Sequence, residues 1–420
     1  MTQFSRKSIA GKPVHRVFGA ALMFRIAFAG LAAVLVPVAA AQADPSVGPD
    51  VGKHLKNAQD LADGKKFPAA LAEVRKADAV SGKSSYEVFV IAQFETFLNA
   101  QTGNYAAAAD AAERVLKSPE LPDAQKAKQT KTVAELYYQA KAYPKAISYA
   151  QAYLAKTPDD ELSVLITQAY YQQDDYANAA LWGRKLADQA IKTGGKPSEQ
   201  ILQIVFSSAY KQKDVESSRK TLLDLVHYYP SANYWNDLVN ITQSSLPRSD
   251  AYEIEINRVK LRAGVSFPAD DYVDQAQLLI QKGLPGEAKA VLQQGFDAKV
   301  LGTGAGKSRE TRLQALAGTQ AAQDQKSLAK SETQAKSPEE WVAVAEGYAS
   351  YGQYAKAIAL TEKALAAGGL KNPDLVRLHL GQYKLADGKG ADARADFAAV
   401  KDPAVARLAA LWLLIGDSKS

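Results

Sequence analysis

A pair of residues recurs through the chain at a nearly constant interval: an aromatic or large apolar residue, here called the anchor, and a small residue three positions later. The pairs are Phe67 and Ala70, Tyr105 and Ala108, Tyr143 and Ala146, Tyr176 and Ala179, Val215 and Ser218, and Tyr354 and Ala357. The first five anchors lie 38, 38, 33 and 39 residues apart, and the gap of 139 residues to Tyr354 equals four more units of similar size. A fixed period of this length predicts a solenoid of stacked units.

Each unit is predicted to be a helix, a tight turn and an antiparallel helix. Ahead of an anchor, residues such as Leu162, Leu165 and Ile166 are spaced by three and four, as one helical face requires. Ala146, Ile147 and Ala150 show the same spacing behind one. Residues that favour reversal stand between the two helices: Gly64, Gly103, Asp174, Asp214 and Gly352. We therefore predict an all-α fold, an α-solenoid of about nine to ten antiparallel hairpins.

Residues 337–364 resemble the tetratricopeptide repeat. The family's Trp, Leu, Gly, Tyr, Ala and Ala positions are taken here by Trp341, Val344, Ala345, Tyr348, Ala357 and Ala364, while Thr361 replaces the usual Phe. The resemblance covers most of the chain and is strongest in 56–230 and 337–400. It implies a superhelix whose concave groove holds a peptide or protein partner. Exported proteins of this kind often serve as adaptors in envelope assembly, polysaccharide export or outer-membrane complexes.

The chain is expected to divide into an N-terminal array at 44–230, a degenerate middle at 231–336 and C-terminal units at 337–420. The middle has one recognisable turn, from Gly283 to Ala288, and is interpreted as hairpins of the same kind. Two alternatives concern this segment. In one, the glycine-rich loop 302–306 is a hinge between two arrays; in the other, the segment carries a small-ligand or enzymatic site.

The first 43 residues have the pattern of a signal peptide. Five Lys or Arg and no acid precede or open an apolar run from Ile26 to Ala41, and Ala41-Gln42-Ala43 supplies small residues at a cleavage site. Cleavage is predicted between Ala43 and Asp44, with Met23 an alternative start. The protein is then exported, and periplasmic in a host with two membranes. In the alternatives, the run stays uncleaved as an inner-membrane anchor facing the periplasm, or Ser5-Arg6-Lys7 belongs to a twin-arginine signal.

Removing residues 1–43 leaves 46 of the 51 basic residues against 45 acidic ones, so the mature chain is nearly neutral. Its basicity therefore gives no reason to expect nucleic acid or a membrane surface as partner. The chain has no cysteine, which excludes disulfides, thiol catalysis and thiolate metal sites.

No motif predicts catalysis, a cofactor or a metal. Residues 301–308, Leu-Gly-Thr-Gly-Ala-Gly-Lys-Ser, approach a phosphate-binding loop, but Leu301 stands where the first glycine is required, and helical spacing precedes the loop. His54, His227 and His379 have no partner at ligand spacing. We expect a binding scaffold and no enzyme.

One pattern predicts a binding surface. A glutamine recurs near the end of the first helix of four successive units, and Tyr or Lys precedes it in three of them. The resulting hypothesis is a groove that holds an extended peptide, lined by Gln101, Gln139, Gln172, Gln212, Tyr138, Tyr171 and Lys211. Amide side chains bond a peptide backbone without demanding its sequence, and Tyr adds contact area at low entropic cost. The alternative is that Gln is simply a good helix former on a solvated face.

The C-terminal segment contains an apolar cluster, Leu411, Trp412 and Leu414. If the cluster is not packed within the chain, a homodimer is expected to form through it.

Overall fold

The computed structural model describes residues 46–417, and this range is helical throughout. The described residues form twenty α-helices and one 3-10 turn, without a β-strand, which confirms the all-α repeat fold. The predicted signal peptide, its cleavage site at Ala43 and Asp44, and the alternative start at Met23 lie outside the described residues. Among residues 46–417, no helix is long and apolar enough to span a bilayer.

The helices belong to two compact units, which divide between Leu136 and Tyr137. The first unit holds α1 (Pro49–Asp63), α2 (Phe67–Asp78), α3 (Ser85–Gln101), α4 (Tyr105–Lys117) and most of α5 (Asp123–Gln139). Its core is an apolar cluster of α1, α2 and α3 that includes Leu55, Val74 and Leu98.

The second unit begins with the last turn of α5 and continues in pairs. Five helices follow up to residue 228: α6 (Tyr143–Leu154), α7 (Asp160–Gln172), α8 (Tyr176–Lys192), α9 (Glu199–Lys211) and α10 (Val215–Tyr228). The middle holds α11 (Ala232–Ser245), α12 (Asp250–Ala263), α13 (Ala269–Gln281), α14 (Pro285–Asp297) and α15 (Lys307–Gln334). The chain ends with α16 (Pro338–Ser350), α17 (Tyr354–Ala367), α18 (Pro373–Ala386), α19 (Gly390–Ala398) and α20 (Pro403–Asp417).

Each anchor is the first residue of the second helix of its hairpin, and the small residue three positions later is 0–1% exposed in all six cases. The small side chain lets the two helices approach closely. The rule extends to two hairpins whose anchor is not aromatic, since Ala288 follows Pro285 and Ala393 follows Gly390 at the same spacing, and both are buried.

A residue with left-handed backbone lies two positions before the second helix in eight hairpins of the described chain. These residues are Lys65, Gly103, Lys141, Asp174, Lys213, Gly283, Gly352 and Gly388. Gly64 and Asp214 lie between the two helices as predicted, but the left-handed residue of each turn is the neighbouring Lys65 or Lys213. Asp214 instead caps α10, because its side chain accepts the Ser217 N–H at 3.0 Å, and its own N–H closes the turn on the Ala209 carbonyl at 3.0 Å.

The repeat period continues through the middle, but one hairpin is missing. The second helices begin at 215, 250, 285, 354 and 390, which are 35, 35, 69 and 36 residues apart. The interval of 69 residues holds the space of two units, and a turn expected near residue 320 falls inside the 28-residue helix α15. The middle is therefore two hairpins followed by one long helix.

The glycine-rich loop before α15 is tied down by its own chain. Leu301 is buried in the cluster of α13 and α14, and the Gly302 N–H donates to Glu310 on α15 at 2.7 Å. A carboxylate thus takes one of the backbone donors that a phosphate would need.

The last helix returns to the middle of its unit. Helix α20 packs on α10, α11 and α12 as well as on its neighbours α18 and α19, so α10 to α20 form a closed circuit of packed helices. Leu411 and Trp412 are buried in this core, and Leu414 packs against it. The expected dimer surface is therefore part of the interior of the chain.

Candidate partner-binding face

The first helices of successive hairpins touch one another through polar side chains. The Tyr138 hydroxyl on α5 donates to Gln168 Oε1 on α7 at 3.0 Å, and the Tyr171 hydroxyl on α7 lies 2.8 Å from Ser207 Oγ on α9. These hydrogen bonds run from one first helix to the next, and α7 and α9 also pack directly on each other. The first helices therefore form the inner row of this part of the second unit.

The row continues from α9 to α11. Gln203 Nε2 donates to the Tyr234 hydroxyl at 2.6 Å, which in turn donates to Glu199 Oε1 at 2.7 Å. Burial is the largest cause that raises the pKa of Tyr234 to about 12, and it likewise raises that of Tyr138 to about 12. Both phenols therefore stay protonated at neutral pH and serve as donors.

Tyr138 and Tyr171, which were predicted for the groove, consequently have their hydroxyls engaged within the chain. Each ring also packs beside the anchor of its own hairpin: the Tyr138 and Tyr143 centroids are 5.7 Å apart, and those of Tyr171 and Tyr176 are 5.6 Å apart. Both residues are half-buried. They can offer a partner ring surface, while their hydroxyls hold neighbouring repeats together.

The predicted glutamines do not occupy one equivalent position. Gln139 and Gln172 are the last residues of α5 and α7, whereas the last residue of α9 is Lys211, and Gln212 lies one residue beyond it. Gln212 Nε2 donates to the Tyr176 and Ser208 carbonyls, both at 3.1 Å. Its amide nitrogen thus joins α9 to the start of α8. Gln172 and Lys211 are exposed and Gln139 is half-buried.

When the first helices are aligned by their last residues, a further tyrosine falls on the predicted face, although it was not predicted from the sequence. Tyr210 is the equivalent of Tyr138 and Tyr171, because each is the next-to-last residue of its first helix. It is also the most open of the three, with 53% of its surface exposed. Counting back five residues from each anchor, as from Tyr143 to Tyr138, would have found it.

Gln101, the other predicted groove residue, belongs to the first unit. It is the last residue of α3 and is exposed. Its place in its own hairpin matches that of Gln139 and Gln172, since Gly103 makes the following turn.

A cavity of about 470 Å³ lies outside the inner row, where the end of α6, the start of α7 and the middle of α8 meet. Its lining contains the apolar side chains of Leu154, Trp182 and Leu186. The charged residues Asp159 and Lys185 also line it. Asp159 caps α7 by accepting the Leu162 N–H at 3.0 Å. This acid therefore serves the helix, as the sequence pattern indicates.

The most deeply buried ionisable residue of the middle segment is paired within the chain. Glu255 on α12 is 1% exposed and pairs with Arg258, which reaches Glu287 on α14 at 2.6 Å. Pairing of this kind offsets the free-energy cost of burying the charges, so no ligand is needed to explain them. They give no support to the alternative of an enzymatic site in 231–336.

The C-terminal hairpin α16–α17 shows the pattern on which the family resemblance rests. Val344, Ala345 and Tyr348 on α16 and Ala357 and Ala364 on α17 are buried at the contact of the two helices. Hairpins of this pattern recur through the described chain at the repeat period. The fold is a tetratricopeptide-repeat solenoid.

No protein-family model and no curated protein matches the sequence. Among solved structures, the Naa15/Naa10 complex bound to HypK-THB is 15% identical, with 86% of this chain and 60% of that chain covered and a TM-score of 0.38. A tetratricopeptide repeat protein from Parabacteroides merdae is 13% identical, covering 78% and 99%, with a TM-score of 0.30. The TPR2AB domain of yeast Sti1 in complex with pHSP90 is 12% identical, covering 71% and 100%, with a TM-score of 0.24.

Proposed function

We propose that the chain is an interaction scaffold that binds an extended peptide or protein segment along its inner row of helices. The proposal rests on one observation: α5, α7 and α9 each end in a tyrosine followed by a long polar residue. These pairs are Tyr138 with Gln139, Tyr171 with Gln172, and Tyr210 with Lys211.

The chemistry of these pairs suits a peptide backbone. An amide side chain both donates and accepts, so Gln139 and Gln172 can bond an extended main chain of any sequence. A tyrosine ring adds contact area while immobilising only two side-chain torsions. Because the hydroxyls of Tyr138 and Tyr171 are fixed by neighbouring helices, the rings are already ordered and lose little entropy on binding.

The proposed setting is the cell envelope. Residues 1–43 direct export, cleavage after Ala43 releases the protein, and the scaffold acts in the periplasm as an adaptor in envelope assembly or export. Mass spectrometry of the mature N-terminus tests this directly. Asp44 as first residue supports release, and retention of residues 26–43 supports an inner-membrane anchor instead.

Affinity capture from the native envelope fraction tests the binding function. The bait is the mature protein, compared with a variant that carries Gln172→Ala, Tyr210→Ala and Lys211→Glu together. A matched control changes Gln189→Ala and Lys192→Glu, which are exposed residues of the same types on the second helix α8. A partner retained by the control and lost by the variant supports the proposal. Equal capture by all three proteins would show that the inner row is not the binding face.

A further inference from the structure

His379 lies buried between two carboxylates from distant helices. The residue is on α18, and its Nε2 is 3.1 Å from Glu255 Oε1 on α12, 124 residues earlier in the chain. On the other side of the ring, Nδ1 lies 3.1 Å from Glu346 Oε1 on α16. Only 7% of His379 is exposed. One imidazole therefore connects three helices.

Glu255 is the centre of this arrangement. Its second oxygen accepts a hydrogen bond from Gln382 Nε2 of α18 at 2.5 Å, so two residues of α18 hold the same carboxylate. Arg258, one turn further along α12, pairs with Glu255 and also with Glu287 on α14. The contact between α12 and α18 therefore includes buried charged and polar groups.

The charges of the group come closest to balance when His379 is protonated. Glu255, Glu287 and Glu346 carry three negative charges, and Arg258 supplies one positive charge. Protonation of His379 lowers the uncompensated charge from two to one. Loss of that proton leaves carboxylates facing a neutral ring in a buried site, which is costly.

We propose that His379 is a proton-controlled clasp that holds α18 against α12 and α16, and that this contact opens when the proton leaves. The described chain has the topology that such a clasp needs. Helices α12 and α18 are far apart in sequence, and they meet because α10 to α20 close on themselves.

Electrostatics set the direction of the switch. Burial alone would lower the pKa of His379, but the Glu255 and Glu346 carboxylates outweigh it and raise the pKa to about 9 from the ordinary 6.5. A raised histidine pKa stabilises the closed contact fully below about 6.5, and this contribution is lost as the pH rises through about 9. The clasp is thus closed at neutral pH and opens in alkaline conditions.

Other titratable groups around α18 do not replace this proton. The Tyr383 hydroxyl, one turn away, has a pKa well above its ordinary value, because of burial and the neighbouring carboxylates. Lys384 pairs with Glu362 of α17 and Asp396 of α19, both at 2.9 Å. Further charged contacts are Arg377 with Asp374 at the start of α18, Lys389 with Asp387 at its end, Arg394 of α19 with Asp417 of α20, and Arg407 of α20 with Glu216 of α10.

The chain offers a clean way to watch the contact. The chain has no cysteine, so two spin labels can be attached at introduced cysteines in the full chain. The substitutions are Glu253→Cys on α12 and Ala386→Cys on α18, and both positions are exposed. Distance distributions are recorded from pH 6 to pH 10. One short distance is expected at pH 6. The ratio of the population with a longer distance to the population with the short distance should rise about tenfold per pH unit from about pH 6.5 until the pH passes about 9, as release of one proton requires.

Two variants and one control decide the outcome. In His379→Gln the ratio should no longer depend on pH. In Glu346→Gln the loss of one carboxylate should move opening to lower pH, and this variant decides the matter if His379→Gln does not fold. His227→Gln is the control, because His227 is 46% exposed and stands 3.9 Å from Asp417, away from the clasp. A pH-independent distance in the parent chain, or the parent profile retained in His379→Gln or Glu346→Gln, overturns the proposal.

Discussion

Arg407 on the last helix lies 2.7 Å from Glu216 at the start of α10, across 191 residues of sequence. Arg407 also donates to the Ser245 carbonyl at the end of α11, at 3.2 Å. At the other end of α20, Asp417 lies 3.9 Å from His227, near the end of α10. Helices α20 and α10 therefore run in the same direction, side by side, and α20 closes the second unit.

Apolar packing, rather than this ion pair, should hold α20 in place. Leu408 is fully buried in the shared core, so Leu408→Ala should lower the free energy of unfolding by about 2–5 kcal/mol. Arg407→Ala removes a partly exposed ion pair and should cost about 1 kcal/mol or less. Urea unfolding followed by circular dichroism compares the two. Equal losses would mean that the Arg407 ion pair stabilises the closure as much as the buried Leu408 side chain does.

The hairpins could be predicted from the sequence because their signals are local. An anchor, a small residue three positions later and a turn all lie within a few residues, and the two-helix unit follows from them. The turns at Gly64 and Asp214 are confirmed, but their left-handed residues could not be predicted, because Lys65 and Lys213 adopt the conformation that glycine would normally supply.

The closure of the second unit could not be predicted in the same way. Contacts such as Arg407 with Glu216, or His379 with Glu255, join residues more than a hundred positions apart and leave no periodic pattern. The long helix α15 could not be predicted either, because no sequence feature marks the absence of the turn expected near residue 320. Tyr210, in contrast, could have been predicted, because it lies five residues before the anchor Val215, as Tyr138 does before Tyr143.

The lysines in left-handed turns predict a stabilising substitution. Lys213 has a φ of 59°, which costs a residue with a Cβ about 1 kcal/mol or more. Lys213→Gly removes this strain, but glycine loses more conformational entropy on folding, which offsets part of the gain. The net effect should be a rise in the unfolding free energy of about 0.5–1 kcal/mol. The reverse change, Gly283→Lys at the equivalent turn of α13 and α14, should lower it. Thermal unfolding of both variants checks the pair; a loss of stability in Lys213→Gly would contradict the argument.

Close helix packing predicts the cost of a single methyl group at Gly381. A Cβ at this position of α18 would lie 2.4 Å from the Phe397 ring on α19, so Gly381→Ala should cost about 1–3 kcal/mol through overpacking. Gly390→Ala is the matched control, because a Cβ there meets no atom within 4 Å. The difference between the two melting temperatures measures the effect. If both variants melted alike, α18 and α19 would have to be less tightly packed than described.

The buried carboxylate Glu255 predicts sensitivity to acid. Burial alone would raise its pKa, but Arg258 and His379 outweigh it and lower the pKa to about 2 from the ordinary 4.5. A lowered carboxyl pKa stabilises the fold above about pH 4.5, and this contribution is lost as the pH falls through about 2. Glu255→Ala should therefore cost about 1–3 kcal/mol at pH 7, because Arg258 and His379 each lose one of two carboxylate partners and keep only Glu287 and Glu346. The change should also reduce the dependence of stability on pH below 4.5.

Exposed Glu253, two residues earlier on α12, provides the control for that prediction. Glu253→Ala should change stability by about 0.5 kcal/mol or less and keep the parent's dependence on acid. Denaturant unfolding at pH 7, 4.5 and 3 separates the two variants. A small effect of Glu255→Ala at pH 7 would show that Arg258 and His379 find other compensation.

The corrected register of the inner row makes a prediction that distinguishes Tyr210 from its neighbour Gln212. Tyr210 is exposed at the position equivalent to Tyr138 and Tyr171. Tyr210→Ala should therefore weaken binding of a captured partner about 5- to 30-fold, as loss of an aromatic contact of about 1–2 kcal/mol implies. The Gln212 amide already bonds the Tyr176 carbonyl. Gln212→Ala should therefore leave the partner's Kd unchanged and lower the unfolding free energy by about 1 kcal/mol. Calorimetric titration and thermal unfolding of the two variants test both statements. The reverse result, with affinity lost in Gln212→Ala and kept in Tyr210→Ala, would restore the uncorrected set of glutamines as the binding surface.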